Sequence, residues 1–315
     1  MGTMRIRSLI ISLLISGLAT AQVVDTASVG GLAQRTAFVD TIPPGWSTSG
    51  VITINLTQVQ LVNWAAGGFS SVSGISMFNG QANWQNGRRA WDNTLVLAFG
   101  GQSMEEGASV KTEDRIELLS KYGYRLTQST YLAALAQFRT QFTEGFDEEG
   151  RRISHFMAPG YLVGGIGLDY RPNERFSVFV SPATARLIIV QDETLWDISD
   201  EPEYRVYGVP RGETTELEFG AFLRLQFSKE IAQNITFTTR GDLFSNYLRT
   251  PQNMVVNWET LWNFKVNEWF AATLNTLLIY DHDVKLPRRD AEGNTYTGPA
   301  TQFKQTLGVG LTFKL

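Results

Sequence analysis

From Phe303 to Leu315 the chain reads FKQTLGVGLTFKL and alternates almost without a fault. Phe303, Gln305, Leu307, Val309, Leu311, Phe313 and Leu315 hold one parity, and Lys304, Thr306, Gly308, Gly310, Thr312 and Lys314 the other. A strand turns successive side chains to opposite faces, so this segment has one apolar face and one polar or empty face. Two folds use such a strand: a sandwich, which packs the apolar face on a second sheet, and an outer-membrane barrel, which gives it to lipid.

The upstream sequence repeats the pattern. Twelve strand-like segments can be counted from Val51 onward: Val51–Val59, Ser70–Trp84, Ala90–Gly101, Glu113–Leu126, Thr130–Phe142, Gly160–Arg171, Arg175–Gln191, Thr214–Phe227, Asn234–Arg249, Met254–Asn267, Trp269–Val284 and the closing strand. All are long enough for the roughly 9–11 residues with which a tilted strand crosses a bilayer. In Thr214–Phe227, Leu217, Phe219, Leu223, Leu225 and Phe227 oppose Glu216, Glu218, Arg224 and Gln226. Val51–Val59 and Arg175–Gln191 alternate poorly, and Pro182 in the second predicts a bulge or an edge.

The connections sort by length. Links after even-numbered strands, around Gln85–Arg89, Thr127–Ser129, Pro172–Glu174, Ser228–Gln233 and Glu268, are short. Those after odd-numbered strands, Gln60–Phe69, Gln102–Thr112, Thr143–Pro159, Asp192–Glu213 and Lys285–Gln302, are long, with Thr250–Asn253 the exception. Short periplasmic turns and long external loops are the outer-membrane barrel rule, and a sandwich has no reason to follow it. Trp84, Trp91, Tyr122, Tyr124, Tyr170 and Trp269 fall near the short-turn ends, and Phe99, Phe142, Tyr247, Trp258 and Tyr280 near the others, which predicts two aromatic belts.

Composition agrees. Only 18% of the 315 residues are charged, against 43% hydrophobic, yet mean hydropathy is −0.12, as expected when lumen-facing polar positions dilute the signal. The net charge of −4 gives no basic footprint for nucleic acid, and the absence of cysteine excludes disulfides and thiolate metal sites. Arg5 and Arg7, the apolar run Leu9–Leu18 and Ala19-Thr20-Ala21 make a Sec signal over residues 1–21, too short to span a membrane as a helix. The expectation is an all-β, transmembrane, antiparallel up-and-down β-barrel of about twelve strands over 50–315, preceded by an N-terminal lead over 22–49. Its place is the outer membrane of a Gram-negative cell, with the lipid bilayer, lipopolysaccharide and the β-barrel assembly machinery as partners.

Several stretches are familiar as a set: VQLVNWAAGG at 59–68, WDNTL at 91–95, KTEDRIELLSKYGY at 111–124, FRTQFTEGF at 138–146, APGYLVGGIGLDYRP at 158–172 and the closing LGVGLTFKL. Together they resemble a Bacteroidetes family of outer-membrane β-barrel proteins classed as a domain of unknown function. The resemblance implies a barrel across nearly the whole mature chain and brings no activity or substrate with it. Leu315 departs from the aromatic terminus common in barrels, with Phe313 on the same face as its substitute.

The lumen face is expected to carry Arg115, Glu117, Lys121, Arg125, Arg139, Asp169, Glu216, Glu218, Arg224, Arg240, Asp242, Glu259 and Lys265. Charged rings set solute selectivity, and opposite charges across strands also fill a narrow interior by pairing. Both readings stay open, since twelve strands lie between the filled eight-strand barrel and the open porin. Asp281-His282-Asp283 reads as a strand-end cluster that is solvated or holds a surface cation weakly, because neighbours on a strand point to opposite faces and the imidazole does not converge with both carboxylates. Ser154 beside His155 lacks an oxyanion hole and a third group to orient the base. The acidic stretches at 142–152 and 196–203 read as solvated external loops. No cofactor, metal or catalytic residue is expected. The functional expectation is a narrow channel or solute-passage barrel, with a plugged structural or binding barrel as the alternative and a lipid-acting enzyme a distant third.

Overall fold

The computed structural model describes residues 44–59, 71–104, 109–147, 150–198, 204–289 and 295–315. The expected signal, the lead up to residue 43 and the first long connection at 60–70 lie outside the described residues. Twelve long strands form a closed antiparallel barrel: β1 (Gly45–Val59), β2 (Ser71–Asn86), β3 (Arg89–Met104), β4 (Ser109–Arg125), β5 (Thr130–Thr140), β6 (Gly160–Asn173), β7 (Phe176–Ile189), β8 (Thr215–Ala232), β9 (Ile235–Asn246), β10 (Val255–Lys265), β11 (Phe270–Tyr280) and β12 (Gln302–Lys314). Each pairs with the next in sequence, and β12 closes on β1 through Val51–Asn55 opposite Gly310–Lys314. Every strand expected from the alternation forms.

The alternation becomes inside and outside. On β12, Leu307 is 69% exposed and Phe303, Val309, Leu311 and Phe313 are exposed with it, while Gly308 and Gly310 are buried. Leu132, Ile166, Leu168, Leu217 and Leu278 continue this outward apolar belt around the wall. Water does not tolerate a contiguous apolar surface of that extent on a monomer, whereas a bilayer requires it. Trp46, Trp91, Tyr122, Tyr124, Tyr170 and Trp269 rim the short-turn end, with Phe99, Phe142, Tyr247 and Trp258 towards the other. The fold is a transmembrane β-barrel. Leu307→Arg should therefore cost about 2–4 kcal/mol near the midplane. Urea titration of folded protein in lipid vesicles measures it, and a change within about 0.5 kcal/mol, typical of a water-exposed surface site, would take this face out of the bilayer.

Three boundaries differ from the sequence reading, each for a local reason. β1 begins at Gly45, inside the segment assigned to the lead, because Gly45–Gly50 ladders onto Gly80–Gln85 of β2 and Trp46 lies 5.6 Å from Trp91. The stretch Gln102–Thr112, expected as a long loop, is largely ladder, with Gly101 opposite Lys111 and Ser103 opposite Ser109. In β7 the register shifts between Val180 and Ala183 against β6 and between Ser181 and Thr184 against β8, so Pro182 marks a bulge inside the wall. The inward set changes parity there, from Ser177, Phe179 and Ser181 to Thr184, Arg186 and Ile188.

The long connections are not bare loops. Gly145–Phe146 pairs with Arg152–Ser154, Arg205–Val206 with Val209–Pro210, and Lys285–Arg289 with Thr295–Pro299. A short 3₁₀ helix, Glu193–Ile198, precedes the second of these hairpins. Its Leu195 and Trp196 bury with Val206, Tyr207 and Val209 against Tyr161 and Ile188 at the long-loop end of the barrel, roofing one side of its mouth.

Candidate functional site

Inward positions of a twelve-stranded barrel enclose a lumen wide enough to need filling. Here long charged side chains fill it, and they reach across rather than only along the wall. Arg240 on β9 meets Glu117 on β4 at 3.2 Å, although four strands separate them on one side of the ring and six on the other. Arg115 completes an ion pair with the same carboxylate, and Gln137 donates to it at 2.8 Å. Arg224 on β8 reaches Gln137 on β5 at 2.8 Å and holds Asp242 through two donors, both at 2.7 Å. Arg240 also meets Glu259 at 3.4 Å, and Asn275 donates to that carboxylate at 3.2 Å. Arg115 is 0% exposed, with Glu117, Arg224, Arg240 and Glu259 also buried, so this lattice packs across the middle of the lumen.

Two further charged clusters lie above and below it. Towards the short turns, Asp169 accepts from Lys121 at 2.9 Å and from Arg171 at 2.7 Å, while Arg171 also reaches Asp92 on β3 at 2.9 Å and lies over the Tyr131 ring. Towards the long loops, Arg186 joins Glu218 at 3.0 Å and Asp281 at 3.4 Å. Lys304 on β12 reaches Glu113 on β4 at 3.0 Å, spanning β1 to β3. Between the charged levels Leu119, Leu135, Phe179, Phe222 and Phe244 form an apolar cluster inside the barrel.

Of the thirteen residues expected on the lumen face, Arg115, Glu117, Lys121, Asp169, Glu218, Arg224, Arg240 and Glu259 are buried there. Asp242 is half-buried within the lattice and Arg139 half-buried beside it, and Glu216 is half-buried and paired with Arg249 at the long-loop end. Arg125 and Lys265 have the inward parity but sit in the last residue of their strands, where Arg125 is half-buried and Lys265 exposed, so they belong to the rim. Reasoning from sequence missed Asp92, Arg171 and Arg186. Arg171 shares its parity with Asp169 and was legible; Arg186 was not, because the bulge reverses its parity.

The other candidates separate. Asp281 faces the lumen and accepts from Arg186 and from the backbone N–H of Asp283; Asp283 is exposed, and His282 meets the Tyr280 hydroxyl at 3.2 Å. Among the described residues no three metal-ligating groups converge. The Ser154 hydroxyl donates to Gln141 at 3.1 Å, away from His155, which lies 3.9 Å from Glu144. In the acidic loop, Asp147 pairs with Arg151, and Arg152 with Glu144 and Asp192.

A cavity of about 80 Å³ remains beside the lattice, lined in part by Arg139, Arg186, Tyr161, Phe222, Phe244 and Asn257. Phe222, Phe244 and Arg186 stand on the long-loop side of Arg224 and Asp242 along their strands, so the cavity opens between the lattice and the outer mouth.

Two family models match parts of the chain: Protein of unknown function (DUF3078) over residues 56–146, and Protein of unknown function, DUF481, over 184–295. No curated protein matches significantly. Among solved structures, an outer membrane channel from Pseudomonas putida F1 is 13% identical over 92% of this chain and 100% of its own, at a TM-score of 0.40. The translocator domain of the autotransporter NalP from Neisseria meningitidis is 13% identical over 87% and 90%, at 0.34. The NanC porin is 8% identical over 84% and 98%, at 0.37. Likeness at this level carries no argument about function; the barrel rests on its own strand ladder and apolar belt.

Proposed function

We propose that the chain is a gated solute-passage barrel of the Gram-negative outer membrane, held shut at rest by the lattice of Arg115, Glu117, Arg224, Arg240, Asp242 and Glu259. The observation that carries this is the kind of closure. The obstruction at the middle of the lumen consists of side chains on rotatable stems, with Arg240 reaching Glu117 and Arg224 reaching Gln137 across the ring. A barrel that needed only a filled interior gains little from buried ion pairs, because well-packed apolar residues of similar volume are often as stable or more so. Charges that bridge the lumen and can exchange partners make a latch. The reading assigns the chain no catalytic step. It places export under the Sec signal, insertion by the β-barrel assembly machinery, and the long loops on the lipopolysaccharide side.

Conductance tests it. Purified wild-type barrel in a planar bilayer should dwell in a closed level with rare openings. Glu117→Gln keeps the volume and removes the charge that Arg115 and Arg240 share. A hydrogen bond to a charged group is worth about 1.5–3 kcal/mol, so the open fraction should rise at least about tenfold. A steady ohmic conductance without a closed level, or an open fraction unmoved by Glu117→Gln, would sink the latch. The roof of Trp196, Val206 and Tyr207 over Tyr161 favours a second reading, a permanently plugged barrel that binds from outside. Silence of both proteins at every voltage would select it.

A further inference from the structure

We propose that the seam between β1 and β12 parts on its long-loop half and passes an uncharged, largely apolar molecule sideways between the lumen and the outer leaflet of the bilayer. This deepens the solute-passage reading and rests on it, since it gives the same barrel a route and a substrate class.

The wall is not zipped equally all round. Among the described residues every other pair of neighbouring wall strands shares ten or more ladder rungs. β1 and β12 share five, from Val51–Lys314 to Asn55–Gly310. Those five lie towards the short turns, where the Leu315 N–H also donates to the Gly50 carbonyl at 2.8 Å. Beyond Asn55 both strands run on, β1 to Val59 and β12 back to Gln302, and their described residues share no further rung. The same register would set Leu56 opposite Val309 and Gln58 opposite Leu307, so the two edges match. Backbone groups on an open edge find no water in hydrocarbon and need each other or a guest. An edge lying beside a matching edge that it does not hold is an element with two states, parted and zipped.

The parted stretch carries little bulk on its lumen side, where Thr57 of β1 faces Thr306 and Gly308 of β12. Thr57 is exposed, although Asn55 on the same face is buried. A Cβ on Gly310 would collide with the Asn55 side chain and the Ile54 carbonyl oxygen, so the strands touch there and part from that point. On the lipid side Leu56 and Leu307 flank the seam, 72% and 69% exposed. Thr306 is opposite Asn275, which donates to Glu259, so the seam opens beside the lattice.

Charge decides what passes. β1, β2 and β11 contain no Asp, Glu, Lys or Arg. β12 contains Lys304, held by Glu113 at 3.0 Å, and Lys314 in its last residue. The lattice charges stand on β4, β8, β9 and β10, away from this sector. A charged solute moving sideways would leave its partners for an uncharged wall and then hydrocarbon, where an unpaired charge is far costlier than a neutral polar group. A neutral molecule meets threonine and asparagine on the way and apolar side chains at the exit.

A disulfide lock tests the seam, and the chain has no cysteine of its own to interfere. In a hydrogen-bonded antiparallel pair the Cα atoms lie about 5.5 Å apart, within the roughly 4.4–6.8 Å that a disulfide bridges. Gly50 and Leu315 exchange both bonds, so alternate rungs from there are of this kind. Gln58→Cys with Leu307→Cys places such a pair across the open half, and Ile54→Cys with Leu311→Cys places one within the rungs already made. Cells carrying the full-length barrel in their outer membrane are oxidised with copper phenanthroline. They are then given N-phenylnaphthylamine, an uncharged probe that fluoresces in lipid, or anilinonaphthalenesulfonate, its charged counterpart. The wild type should speed uptake of the neutral probe and not of the sulfonate. The lock at Gln58 and Leu307 should reduce that uptake to the level of cells without the barrel, and dithiothreitol should restore it. The lock at Ile54 and Leu311 should leave it unchanged. Leu56→Cys with Val309→Cys, one outward rung nearer the ladder, supplies the same lock if the first pair does not fold. Failure of both open-half pairs to crosslink, uptake unmoved by their lock, an equal loss from the lock within the ladder, or equal uptake of the sulfonate would each overturn the proposal. The outcomes separate from those for the latch. Lock-sensitive uptake by a barrel that never conducts keeps the seam and loses the latch; conductance that follows Glu117→Gln without lock-sensitive uptake loses only the seam.

Discussion

Asp169→Ala should destabilise the barrel by about 3–5 kcal/mol, the cost of leaving a buried charge without its partner. Asp169 is 0% exposed, and the two cations it serves, Lys121 and Arg171, are as deeply placed. Their positions are unequal. Arg171 keeps Asp92 at 2.9 Å when Asp169 is removed, whereas Asp169 supplies the close ion pair of Lys121, at 2.9 Å. An ammonium group that is 1% exposed has no solvent to turn to, so most of the loss falls on Lys121. Two comparisons separate this account from simple loss of volume. Asp169→Asn keeps the size and still removes the charge, so it should cost nearly as much as alanine. Asp169→Leu combined with Lys121→Met removes both charges and should recover most of the stability, because a buried pair replaced by apolar side chains is often neutral. Urea unfolding followed by heat-modifiable gel migration reads all three. A loss below about 1 kcal/mol for the single alanine variant would mean that water reaches Lys121, and that the short-turn half of the lumen is open.

Why the sequence revealed the wall so much better than the lumen follows from what alternation encodes. Period two assigns a face, and the face is fixed by lipid on one side, so β12 could be read residue by residue from FKQTLGVGLTFKL. Depth is a different quantity. Arg125 and Lys265 have the parity of Lys121 and Glu259, but they stand in the last residue of their strands, and parity does not distinguish a rim from a midplane. Partnership across the lumen is further out of reach. Glu117 is opposite Arg139 in the ladder and also meets Arg240, 123 positions away, and nothing local to either residue encodes that meeting. It exists because closure brings β4 and β9 to nearly opposite sides of the ring. One strand whose face the alternation left open is β7, where an inserted residue reverses the parity and turns Arg186 into the cavity. Pro182 announced an irregularity there, but the direction of the shift depends on what the neighbouring strands allow.

Gly167→Val should prevent the barrel from closing at all. A Cβ on Gly167 would meet the Val180 carbonyl oxygen at 2.0 Å and the Ser181 Cα at 2.7 Å. Those atoms are backbone of β7 at the start of its bulge, so no side-chain rotation relieves the contact. The bulge is itself held in place. The Ser181 hydroxyl lies 2.9 Å from the Ile166 carbonyl and 3.0 Å from that of Ala183, and Thr184 donates to it at 2.7 Å. Moving β7 away from β6 to admit a side chain would unmake these bonds and the flanking ladder together, inside a bilayer where freed backbone groups find no water. The expected loss exceeds about 4 kcal/mol, the range reserved for backbone and core failures. It should appear as the disappearance of the heat-modifiable folded band during refolding into vesicles. Gly164, three residues earlier on the same strand, has nothing within 4 Å of a Cβ, so Gly164→Val should fold normally and controls for β-branching and refolding conditions. If the two variants fold equally well, β6 does not approach β7 as closely as the ladder requires. The bulge would then have no reason to sit at Ser181–Ala183, and Arg186 would lose the parity that brings it to the cavity.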